Sequence, residues 1–307
     1  MKVSIIGGGG RVGSNAAFAF QCAGLVSEIH LLDANEQMAA GEALDLLHGT
    51  SVIGDQRIYA GGYDRCADAD VVVITAGLRR KPDESRLDLI NRNVSLFRQI
   101  LDSIKGAGLK KDAIVFVVSN PVDVLTRLAI DHLKYDPAKV IGLGTQLDTA
   151  RFRSLIAQEL NLPPSQVKAL ILGEHGDSMV PIWSSATAAG LSLLKFPGFS
   201  TVLQQKLFDR TKTSGAEAIK LKGGAGWAVG LTIAEVVHAI ALNQPKVLPV
   251  STQLAGEYGI RGTCTSVPTL VDRRGVVARY EVDLWPREVS MIQTGAKALD
   301  ATYAQVK

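Results

Sequence analysis

Cysteine is scarce in this sequence, with three residues in a chain of 307. Cys22, Cys66 and Cys264 lie far apart, so they form neither a metal-type pair nor a disulfide framework. The simplest inference is a reducing compartment. A disulfide-stabilised secreted domain is therefore excluded, and we expect no metal site.

Long apolar runs are also missing, because no stretch approaches the length needed to span a bilayer. The first residues run directly into glycines, which leaves no room for a signal peptide. The net charge of +3 is too small and too dispersed to indicate binding to nucleic acid or to a membrane surface. We therefore expect a cytoplasmic protein. Repeats and flexible linkers are absent as well, so two domains should be packed together rather than tethered.

Glycines are abundant where the first predicted strand ends. Lys2–Ile6 is a β-branched run typical of a buried parallel strand, and Gly8, Gly10 and Gly13 follow it in the pattern G-x-G-x-x-G. In that spacing one glycine makes the tight turn, one lets the backbone approach a pyrophosphate, and one lets the next helix pack closely. The phosphate would lie at the positive end of that helix. An ordinary glycine turn is the alternative.

A carboxylate at the end of the second predicted strand distinguishes the possible nucleotides. Glu28–Leu32 has the pattern of a strand, and Asp33 follows it, twenty residues after Gly13. This carboxylate can accept hydrogen bonds from both ribose hydroxyls and would repel a 2′-phosphate. No Arg or Lys occurs in residues 34–40 to receive such a phosphate. The sequence therefore favours NAD over NADP.

Strands and helices alternate through the first half of the chain, which predicts an α/β fold built on a Rossmann-type doubly wound parallel sheet. Ligands of such sheets bind at the carboxyl ends of the strands. Beyond Gly144 the pattern changes to longer helices and turn-linked strands, typical of an α+β catalytic domain with a mixed or antiparallel sheet. We expect an NAD-binding domain over residues 1–144 and a catalytic, substrate-binding domain over residues 145–307. The further strands are predicted at 57–60, 70–75, 113–118, 140–143, 167–172, 247–251, 265–271 and 275–282, and the main helices at about 36–47, 87–106, 122–133, 201–221, 227–242 and 286–304.

One segment of the first half is too polar for a buried strand or helix. Six of the eight residues in 79–86 are charged and four of these are basic, so the segment must face water or an anion. It is either a solvated surface loop or a mobile lid that brings cations onto an anionic substrate.

His175 is the candidate for acid–base chemistry among the five histidines. It follows a predicted buried strand and lies between Gly173 and Gly176, which let other groups approach closely. Histidine exchanges protons near neutral pH, and a carboxylate that orients the ring also raises its pKa. Asp148 or Asp177 could supply that carboxylate. The remaining histidines are expected to be structural or exposed: His30, His48, His132 and His238.

Several further motifs follow one another along the chain, and together with the glycine turn they form an ordered set. The set comprises residues 8–13 with Asp33, 75–77, 85–86 with Asn93, 118–121, 147–148 with 151–153, and 172–181. This ordered set resembles the lactate/malate dehydrogenase family over essentially the whole chain. The resemblance implies an NAD-dependent 2-hydroxy acid dehydrogenase that forms a homodimer or homotetramer. A non-catalytic NAD-binding sensor and an NAD-dependent glycosidase of related fold are the alternatives, and the glycosidase would need metal ligands near the site.

The resemblance implies a role for each matched residue. His175 would accept the hydroxyl proton and return it in the reverse direction, with Asp148 as its partner. Arg151 would hold the α-carboxylate through two parallel bonds. Arg86 would stabilise the charge that develops on the reacting oxygen. Asn120 would contact substrate and nicotinamide.

The resemblance also implies the residues around the cofactor and the geometry of one peptide bond. The bond between Asn120 and Pro121 would be cis. The cofactor-binding set would be Gly8, Gly10, Arg11, Val12, Gly13, Asp33, Asn93, Val118 and Asn120.

The charged segment predicts the substrate. In the family, the position six residues before the polarising arginine is typically arginine in malate enzymes and neutral in lactate enzymes, and here it is Arg80. Closing a lid over the second carboxylate of oxaloacetate without a counter-charge would cost several kcal/mol. Ala225 also favours a dicarboxylate substrate. The resemblance aligns it with a threonine typical of lactate enzymes, and the smaller alanine side chain leaves room for the longer dicarboxylate. We therefore predict a malate dehydrogenase of the tricarboxylic acid cycle, with a dicarboxylate substrate bound by Arg80. Asp83 and Glu84 add negative charge to the same segment.

L-lactate dehydrogenase activity is the nearest alternative, since much of the local sequence around Arg86 and His175 is typical of lactate enzymes. Arg153 and Lys168 fall where some sugar-phosphate-regulated bacterial lactate enzymes bind an anion between subunits. Lys168 departs from the histidine that is common there. The pair is either such a regulatory site or a set of ordinary surface charges.

Overall fold

The computed structural model describes residues 1–78 and 83–306, apart from the side chain of Arg86. Within these ranges the chain forms twelve strands and eight α-helices. The strands are β1 (Lys2–Ile6), β2 (Glu28–Leu32), β3 (Arg57–Ala60), β4 (Val71–Ile74), β5 (Ile114–Val117), β6 (Val140–Gly142), β7 (Val167–Leu172), β8 (Val180–Ala188), β9 (Leu191–Ser192), β10 (Lys246–Ala255), β11 (Arg261–Asp272) and β12 (Gly275–Arg279). The helices are α1 (Arg11–Ala23), α2 (Glu36–Ile53), α3 (Arg86–Ala107), α4 (Val122–Leu133), α5 (Gln146–Leu160), α6 (Thr201–Lys222), α7 (Trp227–Ala241) and α8 (Pro286–Val306).

A nine-stranded sheet forms the centre of the fold, in the order β12-β11-β10-β6-β5-β4-β1-β2-β3. The six strands from β6 to β3 pair in parallel, and they have the doubly wound order of a dinucleotide-binding sheet. β10, β11 and β12 pair antiparallel. A separate three-stranded antiparallel sheet has the order β7-β8-β9. The predicted Rossmann-type sheet followed by an α+β half with antiparallel strands is therefore confirmed.

The antiparallel strands continue the parallel sheet instead of forming a sheet of their own. β10 pairs with β6 at Ser251 and Gly142, so the two halves of the chain share one sheet. A Cβ at position 142 would lie 2.2 Å from the Thr126 hydroxyl and 2.9 Å from the Ser251 Cβ. Only glycine permits this close approach between the halves.

Apolar clusters cover both faces of the sheet, which explains why the central strands are continuous apolar runs. In β4, Val71 and Val73 point into a cluster that includes side chains of α1, α2 and α7. Val72 and Ile74 point into a second cluster, formed with α3, α4 and α8. Among the described residues, no helix combines the length and apolarity required to cross a membrane.

Candidate active site

The glycine turn between β1 and α1 leaves no space for side chains. A Cβ at Gly13 would lie 2.3 Å from the Gly7 carbonyl oxygen, and one at Gly8 would lie 2.9 Å from the Leu31 Cβ. Gly10 precedes α1, and no side chain caps the amides of the first turn. Those amides are therefore available to an anion. The turn fits the pyrophosphate of a dinucleotide.

Asp33 lies directly beside this turn. The amides of Gly7 and Gly8 both donate to the Leu32 carbonyl, at 2.8 and 2.9 Å, so the end of β2 is fixed against the glycines. The Asp33 carboxylate accepts from the Asn35 amide at 3.0 Å, which orients it within the same edge of the sheet. The structure thus brings the predicted pyrophosphate and ribose positions together.

Arg11 and Val12 begin α1, but their side chains point away from the turn. The Arg11 guanidinium donates to the carbonyls of Lys222 and Gly224, at 3.0 and 2.9 Å, and so ties α1 to the loop between α6 and α7. Val12 packs against the core cluster on that face of the sheet. Only the backbone of these two residues lies in the predicted cofactor turn.

Asn93, Val118 and Asn120 lie near the ends of β4 and β5. The buried Asn93 side chain accepts from the Leu78 amide at 2.8 Å and donates to the Leu89 carbonyl at 3.1 Å, so it fixes the start of the segment after β4. Val118 is half-buried, and its amide donates to the Ile74 carbonyl at 2.9 Å. Asn120 is exposed, and the bond that follows it is cis, as the resemblance implies.

His175 and Asp148, the predicted acid–base pair, are in direct contact. The imidazole Nδ1 lies 2.5 Å from Asp148 Oδ2, and the Arg151 guanidinium donates to the other Asp148 oxygen at 3.2 Å. The Asp148 side chain is 1% exposed. The sequence left Asp148 and Asp177 open as partners of the histidine, and the structure assigns this contact to Asp148. Asp177 is exposed.

Burial and charge act in opposite directions on this pair. Burial alone would lower the pKa of His175, but the charge and hydrogen bond of Asp148 outweigh it, so the pKa of His175 is raised. Burial would likewise raise the pKa of Asp148, whereas His175 and Arg151 hold the pKa of this carboxyl below its usual range. With Nδ1 engaged by the carboxylate, Nε2 is the nitrogen that can exchange a proton with a ligand.

Asp123, in the first turn of α4, was not among the residues predicted from the sequence. Its Oδ2 accepts from the His175 backbone amide at 2.8 Å. Burial raises the pKa of Asp123 to about 6. An acidic residue between the apolar side chains of Val122 and Val124 was the available signal, because an unpaired buried carboxylate is costly.

Two predicted arginines lie wholly or partly outside the described residues. Arg80 falls within residues 79–82, so its predicted place in the site is not described. Arg86 begins α3, but its side chain is not described. Ser85 caps this helix by accepting from the Asp88 amide at 3.1 Å, and Glu84 pairs with Arg92 at 2.5 Å.

Arg153 and Lys168 are not brought together by a described contact. Arg153 is half-buried, and its Nε donates to the Ala169 carbonyl at 2.8 Å. Lys168 is exposed on β7. The regulatory anion site stays a prediction.

Known families match both halves of the chain. The description "lactate/malate dehydrogenase, NAD binding domain" matches residues 1–142, and "lactate/malate dehydrogenase, alpha/beta C-terminal domain" matches residues 145–307. The chain belongs to the lactate/malate dehydrogenase family. As a member of this family it is an NAD-dependent enzyme, and the glycine turn and Asp33 fit that cofactor.

Curated relatives and solved structures resemble this lactate/malate dehydrogenase over nearly its whole length. The L-lactate dehydrogenase of Acetivibrio thermocellus is 37% identical, over 97% of this chain and 95% of the relative. That of Gloeobacter violaceus is 39% identical, over 98% of this chain and 92% of the relative. The ligand-bound minor L-lactate dehydrogenase of Enterococcus mundtii has a TM-score of 0.94 at 37% identity, covering 100% of this chain and 98% of that one.

These relatives overturn the predicted substrate. The prediction of a malate dehydrogenase acting in the tricarboxylic acid cycle is wrong, because the similar curated proteins and structures are L-lactate dehydrogenases. The prediction relied on the charge of Arg80 and on the small side chain of Ala225, whereas substrate choice depends on the net charge enclosed with the substrate. Asp83 follows in the same segment, so one arginine does not fix that net charge.

Proposed function

We propose that this enzyme is an NAD-dependent L-lactate dehydrogenase, which interconverts L-lactate and pyruvate. The observation that carries the proposal is the buried His175–Asp148 pair, with Arg151 beside it, in a chain similar over its whole length to L-lactate dehydrogenases. We also propose the boundary between an NAD-binding and a catalytic domain after residue 144. Exposed apolar side chains on α2, α6 and α7 favour a homodimer or homotetramer.

In the proposed mechanism, Asp148 fixes the imidazole and leaves Nε2 facing the substrate. Nε2 accepts the hydroxyl proton when lactate is oxidised and donates it to the carbonyl oxygen when pyruvate is reduced. Arg151 binds the carboxylate through its planar guanidinium, and Arg86 stabilises negative charge on the reacting oxygen. Asn120 contacts the substrate and the nicotinamide. Bound NAD supplies the hydride acceptor.

Paired substrate assays test the proposed activity. With NADH, the enzyme should reduce pyruvate with a kcat/KM at least about tenfold higher than for oxaloacetate, which is the range that one pocket contact supplies. With NAD, L-lactate should be oxidised and D-lactate should not. Faster turnover of oxaloacetate than of pyruvate would overturn the proposal.

The planar geometry of the Arg151 guanidinium should matter more for substrate binding than its charge does. In Arg151→Lys the cation is retained but the two parallel bonds to the carboxylate are lost, so kcat/KM for pyruvate should fall about tenfold. Arg210→Lys makes the same change at an exposed position of α6 and should leave kcat/KM unaltered. Steady-state kinetics of both variants give the comparison. Equal values for the two variants would remove Arg151 from the substrate site.

A further inference from the structure

A cavity of about 620 Å³ lies at the edge of the sheet opposite the candidate active site, and this is the size of a pocket for a small molecule. Its lining includes Asp70, which directly precedes β4, Asp112, which lies two residues before β5, and Lys139, which directly precedes β6. The cavity is therefore at the amino ends of these parallel strands. The predicted cofactor and substrate residues, such as Asn120, lie at the carboxyl ends, at least the length of a strand away.

Both halves of the chain contribute to this cavity. Lys139 belongs to the NAD-binding half, whereas Arg273 and Arg274 form the turn between β11 and β12. The two parts pack closely because the residue after the arginines is Gly275, with φ +94°, and a Cβ there would lie 2.1 Å from the Ala138 carbonyl oxygen. Since Lys139 follows Ala138 directly, this packing brings basic side chains from both halves to one place.

Two of the basic side chains around the cavity are paired with carboxylates. The Arg274 guanidinium donates to both oxygens of the buried Asp272, from Nε at 3.2 and 3.1 Å and from Nη2 at 2.7 Å. Lys110, in the loop before β5, pairs with Asp70 at 2.5 Å. The charges within each pair offset one another, so these pairs add little net charge to the cavity.

Lys139 and Arg273 are not paired in this way, since neither forms an ion pair with a carboxylate of the described residues. Arg273 Nη2 donates to the Ala241 carbonyl at the end of α7, at 3.0 Å. This neutral acceptor orients the guanidinium and leaves its full positive charge beside the cavity. Lys139 lies near the turn, because Arg274, and to a smaller extent Lys139, holds the pKa of the Asp272 carboxyl below its usual range.

The unpaired charges favour an anionic ligand. Within the part of the chain that the structure describes, Asp112 is the lining carboxylate without a basic partner, and the two free cations outweigh it. Guanidinium and ammonium groups bind phosphate oxygens through charge-assisted hydrogen bonds, and a guanidinium can form two in parallel. A ligand with two linked phosphate groups offers enough charge and enough oxygens for both cations.

We propose that this cavity binds a small polyphosphate anion, which Lys139 and Arg273 hold between the two halves of the chain. The site is separate from the cofactor turn, and the proposal does not depend on which 2-keto acid the enzyme reduces. An anion bound there contacts segments that are distant in the sequence and come together only in the folded chain. Binding should therefore raise the melting temperature of the enzyme.

Calorimetric titration with inorganic pyrophosphate tests the proposal. Saturating NADH is present throughout, so the cofactor turn, which also fits phosphate groups, is occupied. One pyrophosphate per chain should bind, and inorganic phosphate should bind at least about tenfold more weakly because it lacks the second phosphate group. Lys139→Gln and Arg273→Gln should each weaken pyrophosphate binding by about tenfold or more, since each loses a charge-assisted bond. Lys139→Gln breaks no described side-chain hydrogen bond, so it gives a result even if Arg273→Gln does not fold.

Asp112→Asn tests the sign of the charge effect. The substitution removes the unpaired carboxylate of the lining, so pyrophosphate should bind about two- to fivefold more tightly, as expected for one exposed charge. A purely structural role of these residues would not produce tighter binding. Lys297→Gln on α8 and Arg210→Gln on α6 change exposed basic residues outside the cavity, and both should keep the affinity of the unmodified enzyme.

Four outcomes would overturn the inference. They are the absence of saturable pyrophosphate binding, equal affinities for phosphate and pyrophosphate, equal affinities in the cavity variants and the two controls, and a loss of binding in Arg153→Gln but not in Lys139→Gln. The last result would place the anion at the predicted site between subunits. A failure of the proposed function would appear separately, as absent pyruvate turnover in the unmodified enzyme.

Discussion

Replacing His175 by asparagine should lower kcat for pyruvate reduction by about a thousandfold, within the range that general acid–base catalysis contributes. The asparagine amide can still donate to Asp148, as Nδ1 does now at 2.5 Å, but nothing replaces Nε2. The substitution thus removes the proposed proton donor while it keeps the buried carboxylate paired. Stopped-flow or steady-state measurements of NADH consumption give kcat.

His132→Asn is the matched control for this experiment. His132 lies on α4 and contacts Asp102 at the surface, at 2.7 Å, away from the site. This variant should keep the kcat of the unmodified enzyme. NADH affinity, measured by calorimetry, should be the same for both variants. A kcat for His175→Asn within about tenfold of the unmodified value would show that another group transfers the proton.

Gly13→Ala should weaken NADH binding by up to about a hundredfold. The added Cβ would lie 2.3 Å from the Gly7 carbonyl oxygen and 2.9 Å from the Gly8 Cα, so the turn must open or α1 must move. Overpacking of this kind costs up to about 3 kcal/mol, which is roughly a hundredfold in affinity. Calorimetric titration with NADH measures the loss.

Gly41→Ala is the control for replacing a glycine by alanine away from the cofactor turn. Gly41 lies inside α2 with open space around its Cα, so an added methyl group should leave NADH affinity unchanged and stabilise the helix slightly. Gly10→Ala is a milder test of the same turn, because its Cβ would lie 3.2 Å from the Gly7 oxygen. If Gly13→Ala and Gly10→Ala both bind NADH normally, the dinucleotide does not lie on this turn.

The cofactor half of the fold could be predicted because its signals are local. β1, the glycine turn and β2 with Asp33 are adjacent in the sequence, and each has a distinct composition. The positions at which helices and strands end were harder to predict. The helix predicted to end near Leu47 continues to Ile53, because Gly49 packs against the Gln21 side chain and does not end the helix.

β8 was not predicted from the sequence, because contacts with distant parts of the chain stabilise it. It contains Pro181 and two serines, which obscure the pattern of a buried strand. The amides of Trp183 and Ser184 donate to the Glu288 carboxylate of α8, at 2.8 and 3.1 Å. Glu288 lies more than a hundred residues further along the chain, so the local sequence of β8 does not reveal this stabilisation.

The sequence indicated which residue types would lie in the candidate site, but it did not indicate which of them would contact each other. A histidine between glycines indicated His175, but the choice between Asp148 and Asp177 required the fold. Asp123 was not found, because its role depends on a backbone amide contributed by another segment. The substrate was predicted wrongly from Arg80, since the sum of charges in a closed site cannot be read from one position.

The pairing of β6 with β10 has a consequence for biosynthesis. β6 is complete at residue 142, but Ser251, its partner in β10, emerges from the ribosome more than a hundred residues later. Until then the nascent parallel sheet has an uncovered edge with unpaired amides and carbonyls, which can template pairing with another chain. The late closure of this edge makes the sheet depend on long-range contacts, which fold slowly. Chaperone protection would therefore matter in the interval between synthesis of the two strands.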